Sequence, residues 1–153
     1  MPNTDIIKGL NRLLADATVL YQKLRHYHWN VDGRHFFELH AKFEELYTGW
    51  AESIDVIAER VLMLDGVPLH TLRAMLDATL LSEDGAIPAA PGMVEAIETD
   101  LRTIHERAGA LLETAEAAGD RGTVNMLDGL RDGIEKDLWM LGAWRKEAAK
   151  SWT

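Results

Sequence analysis

His40, Glu44, Asp55 and Glu59 are of the side-chain types suited to binding iron, manganese or zinc without sulfur, and their spacing places them on one face of one predicted helix. At 3.6 residues per turn the four fall within about 100° of arc, while His40 and Asp55 stand ~22 Å apart along the axis. One ion cannot join groups that distant. A second copy of the helix, antiparallel across a two-fold axis midway between Gly49 and Trp50, would set His40 opposite Glu59 and Glu44 opposite Asp55, because both pairs share that midpoint. The spacing therefore predicts two equivalent metal sites, each split between chains. The same mirror pairs Phe37 with Leu62, Ala41 with Ala58 and Thr48 with Ala51, so the face has apolar ends and a small-residue middle that lets two backbones approach. Carboxylate oxygens favour hard ions and a ferric product, so such a site suits oxidation of Fe(II), with manganese and zinc open as alternatives.

Each pair alone has a plainer reading. Among six histidines and 25 acids, one His-to-acid step at i+4 and several acid-to-acid steps are expected by chance, and an Asp55 to Glu59 step is ordinarily a solvated face. The joint geometry is what departs from that. His28 precedes the turn Asn30–Val31–Asp32–Gly33 and His40 follows it by two helical turns, so an antiparallel hairpin brings both to one place; a capping or core histidine is the alternative. Arg25, one turn earlier, is a source of charge compensation or of a surface ion pair. His26, His35, His70 and His105 lack comparable partners in the sequence. No Glu-x-x-His motif is present, so a di-iron centre inside a single bundle has no support. His-Glu-x-x-His, a glycine-rich phosphate loop and a nucleophile elbow are absent as well.

The elements that must carry these residues are helical throughout. Ile6, Leu10, Leu13, Leu14, Ala17, Leu20, Leu24 and Tyr27 form an apolar stripe for a first helix, with Asn3 or Thr4 as N-cap. The second helix runs from about Arg34 to the stop at Asp65–Gly66–Val67–Pro68. It turns Leu39, Phe43, Leu46, Trp50, Ile54, Ile57, Val61 and Leu64 to the core, and Glu38, Lys42, Glu45, Glu52 and Arg60 to solvent. Residues 66–91, punctuated by Pro68, Pro88 and Pro91, are too long for a hairpin loop and hold a short helix within 72–81. A third helix carries Val94, Ile97, Leu101, Ile104, Ala108 and Leu111; Gly119–Gly122 turns into a fourth with Val124, Leu127, Ile134, Leu138, Leu141 and Trp144. The expectation is an all-α, ferritin-like four-helix bundle, a single domain over residues 1–153, with a long crossover and its short helix between the second and third helices.

Composition agrees. With 153 residues and 47% hydrophobic content the chain can bury one substantial core. A net charge of −9 disfavours broad affinity for nucleic acid or anionic membranes and favours cations. Cysteine is absent, the start has no export signal and no segment reaches membrane-spanning length, so a cytoplasmic protein is expected.

The stretch HWNVDGRHFFELHAKFEELYTGWAESIDVIAERV, His28 to Val61, closely resembles the signature of Dps proteins, or mini-ferritins, and EKDLWML, Glu135 to Leu141, is similar to that family's final helix. The resemblance implies a hollow homo-oligomer, a dodecamer built from two-fold dimers, that oxidises Fe(II) preferably with hydrogen peroxide and stores ferric mineral. It implies that His28, His40 and Glu44 are ligands from one chain and Asp55 and Glu59 from the two-fold partner. Many relatives have Asp where this chain has Glu44. Trp29 resembles the tryptophan near such sites to which radical interception is ascribed, with a packing role as the alternative. Asp120, Asp128 and Asp132 are the acids available for a three-fold pore, although Asn125 stands where a further acid is expected. Direct DNA binding is disfavoured: relatives that do so use lysine-rich tails, whereas no basic residue precedes Lys8 and the C-terminus offers only Arg145, Lys146 and Lys150.

Overall fold

The computed structural model describes residues 2–151. Among the described residues five helices follow in order: α1 Pro2–Asn30, α2 Phe36–Met63, α3 Leu72–Ala78, α4 Ala90–Ala117 and α5 Arg121–Ser151. The hairpins α1/α2 and α4/α5 pack through α1 on α4, and α3 lies in the connection between them, against α1. The core is the sum of the stripes read above, with Leu10, Leu20, Leu24, Tyr27, Phe43, Ile97 and Ile104 fully buried. No helix of the described residues is long and apolar enough to cross a membrane.

Helix ends follow local chemistry. α1 already runs from Pro2, so Asn3 and Thr4 lie within it instead of capping it; proline's fixed φ and missing N–H suit a first helical position. α2 ends when Asp65 takes φ 64°, and Gly66 N–H returns to the Val61 carbonyl at 2.9 Å. A Cβ at Gly66 would meet Ile7 at 2.9 Å and Val61 at 3.0 Å, so a larger residue there would force those side chains to shift. Gly119, at φ 72°, closes α4. Asp120 then opens α5, accepting from Thr123 N–H at 3.1 Å.

The crossover is fastened to α1 along nearly its whole length. Asn11 clasps the backbone of Val67 and Leu69. The fully buried Asp16 accepts from Thr79 Oγ1 at 2.7 Å, Leu80 N–H at 2.9 Å and Arg107 Nη1 at 3.2 Å. Lys23 donates to the Ser82 carbonyl and to Asp100, both at 2.9 Å. Tyr27 donates to Asp84 at 2.6 Å, and His26 Nε2–H to the Ala86 carbonyl at 2.8 Å. Burial, then this bond, pushes the Tyr27 hydroxyl well above its ordinary value, while the same bond first holds Asp84 below the usual carboxylate range.

Candidate metal centre

The α1/α2 hairpin brings His28 and His40 face to face, with ring centroids 3.8 Å apart and planes 16° from parallel. Each ring is locked by the other's backbone: His28 Nδ1–H donates to the His40 carbonyl at 2.7 Å, and His40 Nδ1–H donates to the His28 carbonyl at 2.8 Å. Because a carbonyl only accepts, both protons must sit on Nδ1, and in the neutral ring each Nε2 keeps its lone pair for a metal. Phe36 stacks on His40 at 4.9 Å and Tyr47 meets His28 edge-on at 5.3 Å, so aromatic rings hold the pair from both sides. His28 is buried, whereas Glu44, next to it, is exposed. Glu44 Oε1 lies 3.6 Å from His28 Nε2, too long for a hydrogen bond but within the roughly 3 to 4 Å that separates two ligands of one ion at ~2.1 Å.

Asp55 and Glu59 do not join this group. Both are exposed further along α2, and neither makes an ion pair or side-chain hydrogen bond among the described residues. No group of three or more His, Asp or Glu side chains poised for a metal occurs among the described residues of one chain. At its two ends α2 leaves large apolar groups in the open: Phe37, one turn before His40, is 86% exposed and Leu62, just beyond Glu59, is 56% exposed, with Ala41 and Ala51 also uncovered between them. These are members of the mirror pairs that the sequence sets on the two-fold face.

The chain matches the family model described as the ferritin-like domain over residues 7–150. It is 42% identical to the DNA protection during starvation protein of Brevibacillus brevis, over 88% of this chain and 91% of that one. The crystal structure of a Dps protein from Bacillus brevis superposes with a TM-score of 0.92 at 40% identity, covering 94% of this chain and 96% of that chain. This chain belongs to the Dps family of ferritin-like proteins. A further Dps structure, from Vibrio cholerae O1, is described as a member of a broad superfamily of ferritin-like diiron-carboxylate proteins; it matches with a TM-score of 0.91 at 36% identity over 94% of this chain and 90% of that one.

Within this Dps fold the remaining candidates take varied places. Among the described residues Arg25 makes no ion pair; its guanidinium lies over two rings, 5.3 Å from Tyr21 and 5.0 Å from Trp29, and Trp29 itself is exposed. Arg60, expected in solvent, is half-buried, donating from Nη2 to Asp120 and from Nε to Thr123 Oγ1 at 3.0 Å. Burial pushes the Asp120 carboxyl up, but hydrogen bonds from Thr123 and Arg60 outweigh that and hold it below the ordinary range. Asp120 thus spends its oxygens inside the subunit, while Asp128 and Asp132 are exposed without ion pairs among the described residues. His105, without a partner in the linear reading, pairs with Glu135 across α4 and α5 at 2.8 Å. Sequence spacing overlooked Phe36 and Tyr47; one signal was available, since Phe36 lies four residues before His40 and so shares its face.

Proposed function

We propose that two chains of this protein, paired head to tail along α2, oxidise Fe(II) with hydrogen peroxide and store the ferric product inside a hollow dodecamer. His28, His40 and Glu44 of one chain and Asp55 and Glu59 of the other receive the Fe(II) substrate. The observation that carries this reading is the locked imidazole pair, which keeps both Nε2 lone pairs free and sets that of His28 3.6 Å from the Glu44 carboxylate. Superfamily membership supports carboxylate-bound iron as the substrate.

The overall reaction balances as two Fe(II), one H2O2 and two H2O giving two FeOOH and four protons. Each iron loses one electron and the peroxide O–O bond takes both, so no lone hydroxyl radical is released. The protein's part is to hold two ions at once and to carry protons away. Fixed rings of one tautomer need no reorganisation on binding. Exposed Glu44, Asp55 and Glu59 supply negative charge to attract and stabilise the product and pass protons to water. Asp128 and Asp132, rather than Asp120, are the acids we assign to drawing Fe(II) inward.

Protection of DNA, for which the Brevibacillus relative is named, would follow here from removing iron and peroxide together. Direct binding is disfavoured because Arg145, one of the few C-terminal cations, is held by Glu98 through two bonds of 2.7 and 3.1 Å. A gel-shift titration over a salt series checks this, with no shift expected at physiological salt.

Two damaged variants test the shared site. His40→Ala with Glu44→Ala ruins one half of each site, and Asp55→Ala with Glu59→Ala ruins the other. In a mixed dimer one site is doubly damaged and the other is whole, so co-refolding is expected to restore part of the peroxide-dependent Fe(II) oxidation that each variant lacks. No recovery, with mixed dimers shown by mass, would sink the shared-site reading.

A further inference from the structure

Among the described residues two methionines stand apart from the other three. Met63 is 67% exposed and Met140 is 39% exposed, whereas Met75 and Met93 are buried and Met126 packs against the core. Each of the exposed pair has a cation at its sulfur: Arg60 Nη1 lies 3.9 Å from Met63 Sδ, and Lys42 Nζ, reaching across from α2 to α5, lies 4.0 Å from Met140 Sδ. The acids facing Lys42 are Glu45, whose Oε1 is 3.3 Å from Nζ, and Asp137, which Lys136 also faces. Among the described residues no other sulfur is recorded with a donor at this range.

We propose that Met63 and Met140 are modification sites at which hydrogen peroxide is reduced directly, without iron, and that the adjacent cations assist. In the step, an Sδ lone pair attacks one peroxide oxygen and forms the S–O bond. The O–O bond breaks, the departing oxygen leaves with its electron pair, and after proton transfer the products are methionine sulfoxide and water. Sulfur is oxidised by two electrons and the peroxide is reduced by two. The cation belongs at the departing oxygen, where charge develops in the transition state and where an N–H donor lowers the barrier. At about 4 Å an N–H donor is at the outer limit of contact with sulfur, so it leaves the lone pair available and can turn toward peroxide. Afterwards the sulfoxide oxygen is a much stronger acceptor for the same cation, which makes the modified state a hydrogen-bonded one rather than a disrupted one. The reaction extends the peroxide chemistry proposed above but needs neither the metal centre nor its partner chain.

The test uses the assembled full chain, stripped of metal, with chelator present, exposed to hydrogen peroxide and sampled by peptide mass spectrometry. Sulfoxide is expected at Met63 and Met140 at least tenfold faster than at Met75 and Met93. Lys42→Gln should slow Met140 about threefold or more while leaving Met63 unchanged, and Lys42→Arg should restore the rate. Equal rates at exposed and buried sulfurs would overturn the proposal. So would an unchanged or faster Met140 in Lys42→Gln, which would show the cation to be inert or shielding. Because no iron is present, failure here is separate from failure of the mixed-dimer experiment.

Discussion

The two long faces flanking the first hairpin differ in how they treat charge. Along α1, where the crossover lies, buried Asp16 and half-buried Lys23 find partners inside the chain, as does the buried Asp100 of α4 that faces Lys23. Along the open face of α2, Asp55 and Glu59 find none; exposed Leu62 stands just beyond Glu59, and exposed Phe37 lies at the other end of the same face, before His40. A buried charge must be paired or the fold does not form, so the first face reports what one chain needs for itself. Acids set among uncovered apolar groups satisfy no requirement of the single chain, and such patches mark surfaces meant for something else. The difference separates residues kept for folding from residues kept for a partner and a metal.

That separation predicts opposite outcomes for similar changes. Asp16→Ala strips the acceptor from Thr79, Leu80 and Arg107 at a site with no access to water, and is expected to cost roughly 3 to 5 kcal/mol of stability. Urea unfolding measures this, and a loss below about 1 kcal/mol would mean the crossover is fastened elsewhere. Asp55→Ala, also the loss of one carboxylate, should leave the unfolding midpoint no lower, since exposed substitutions shift stability by only about 0.5 kcal/mol. Fe(II) oxidation should nevertheless fall about a hundredfold, near 2.7 kcal/mol on the barrier. Stability and activity falling together in Asp55→Ala would erase the distinction between the faces.

How much of this was open to reading from residues alone follows the same division. Periodic apolar stripes marked the four long helices because one-sided burial repeats every 3.6 residues, and the mirror symmetry of α2 was visible because helical spacing converts residue number into position. The fastening of the crossover was not visible. Asp16 to Thr79 and Tyr27 to Asp84 join residues more than 50 positions apart, and nothing local in an aspartate or tyrosine names so distant a mate. The interlocked imidazoles lie between these extremes: the turn at residues 30–33 brought His28 toward His40, but the reciprocal bonds to carbonyls depend on backbone placement that side-chain identity does not encode. Arg60 was misplaced for a related reason. On an isolated α2 its arc is the solvent face, and only the start of α5 covers it.

Asp120 gives the smallest effect and tests the first side of the comparison by pH. Its folded-state carboxyl sits below the ordinary value of 3.8, held there by Thr123 and Arg60 against the opposing pull of burial. A depressed acid contributes stability that is fully present above its unfolded value and is lost as pH falls through the lower folded one. Asp120→Asn keeps a side chain able to cap α5 but removes the charge facing Arg60, so the variant should be less stable by about 1 kcal/mol at neutral pH. As pH falls through the lowered folded value the native carboxyl is itself neutralised, and the two proteins should converge. The remaining acids are common to both and cancel in the difference. Unfolding at matched pH from 7 downward reads this directly; a gap that stays constant into acid would show that Asp120 works through shape alone, and the Arg60 pairing would then contribute nothing to holding α5 against α2.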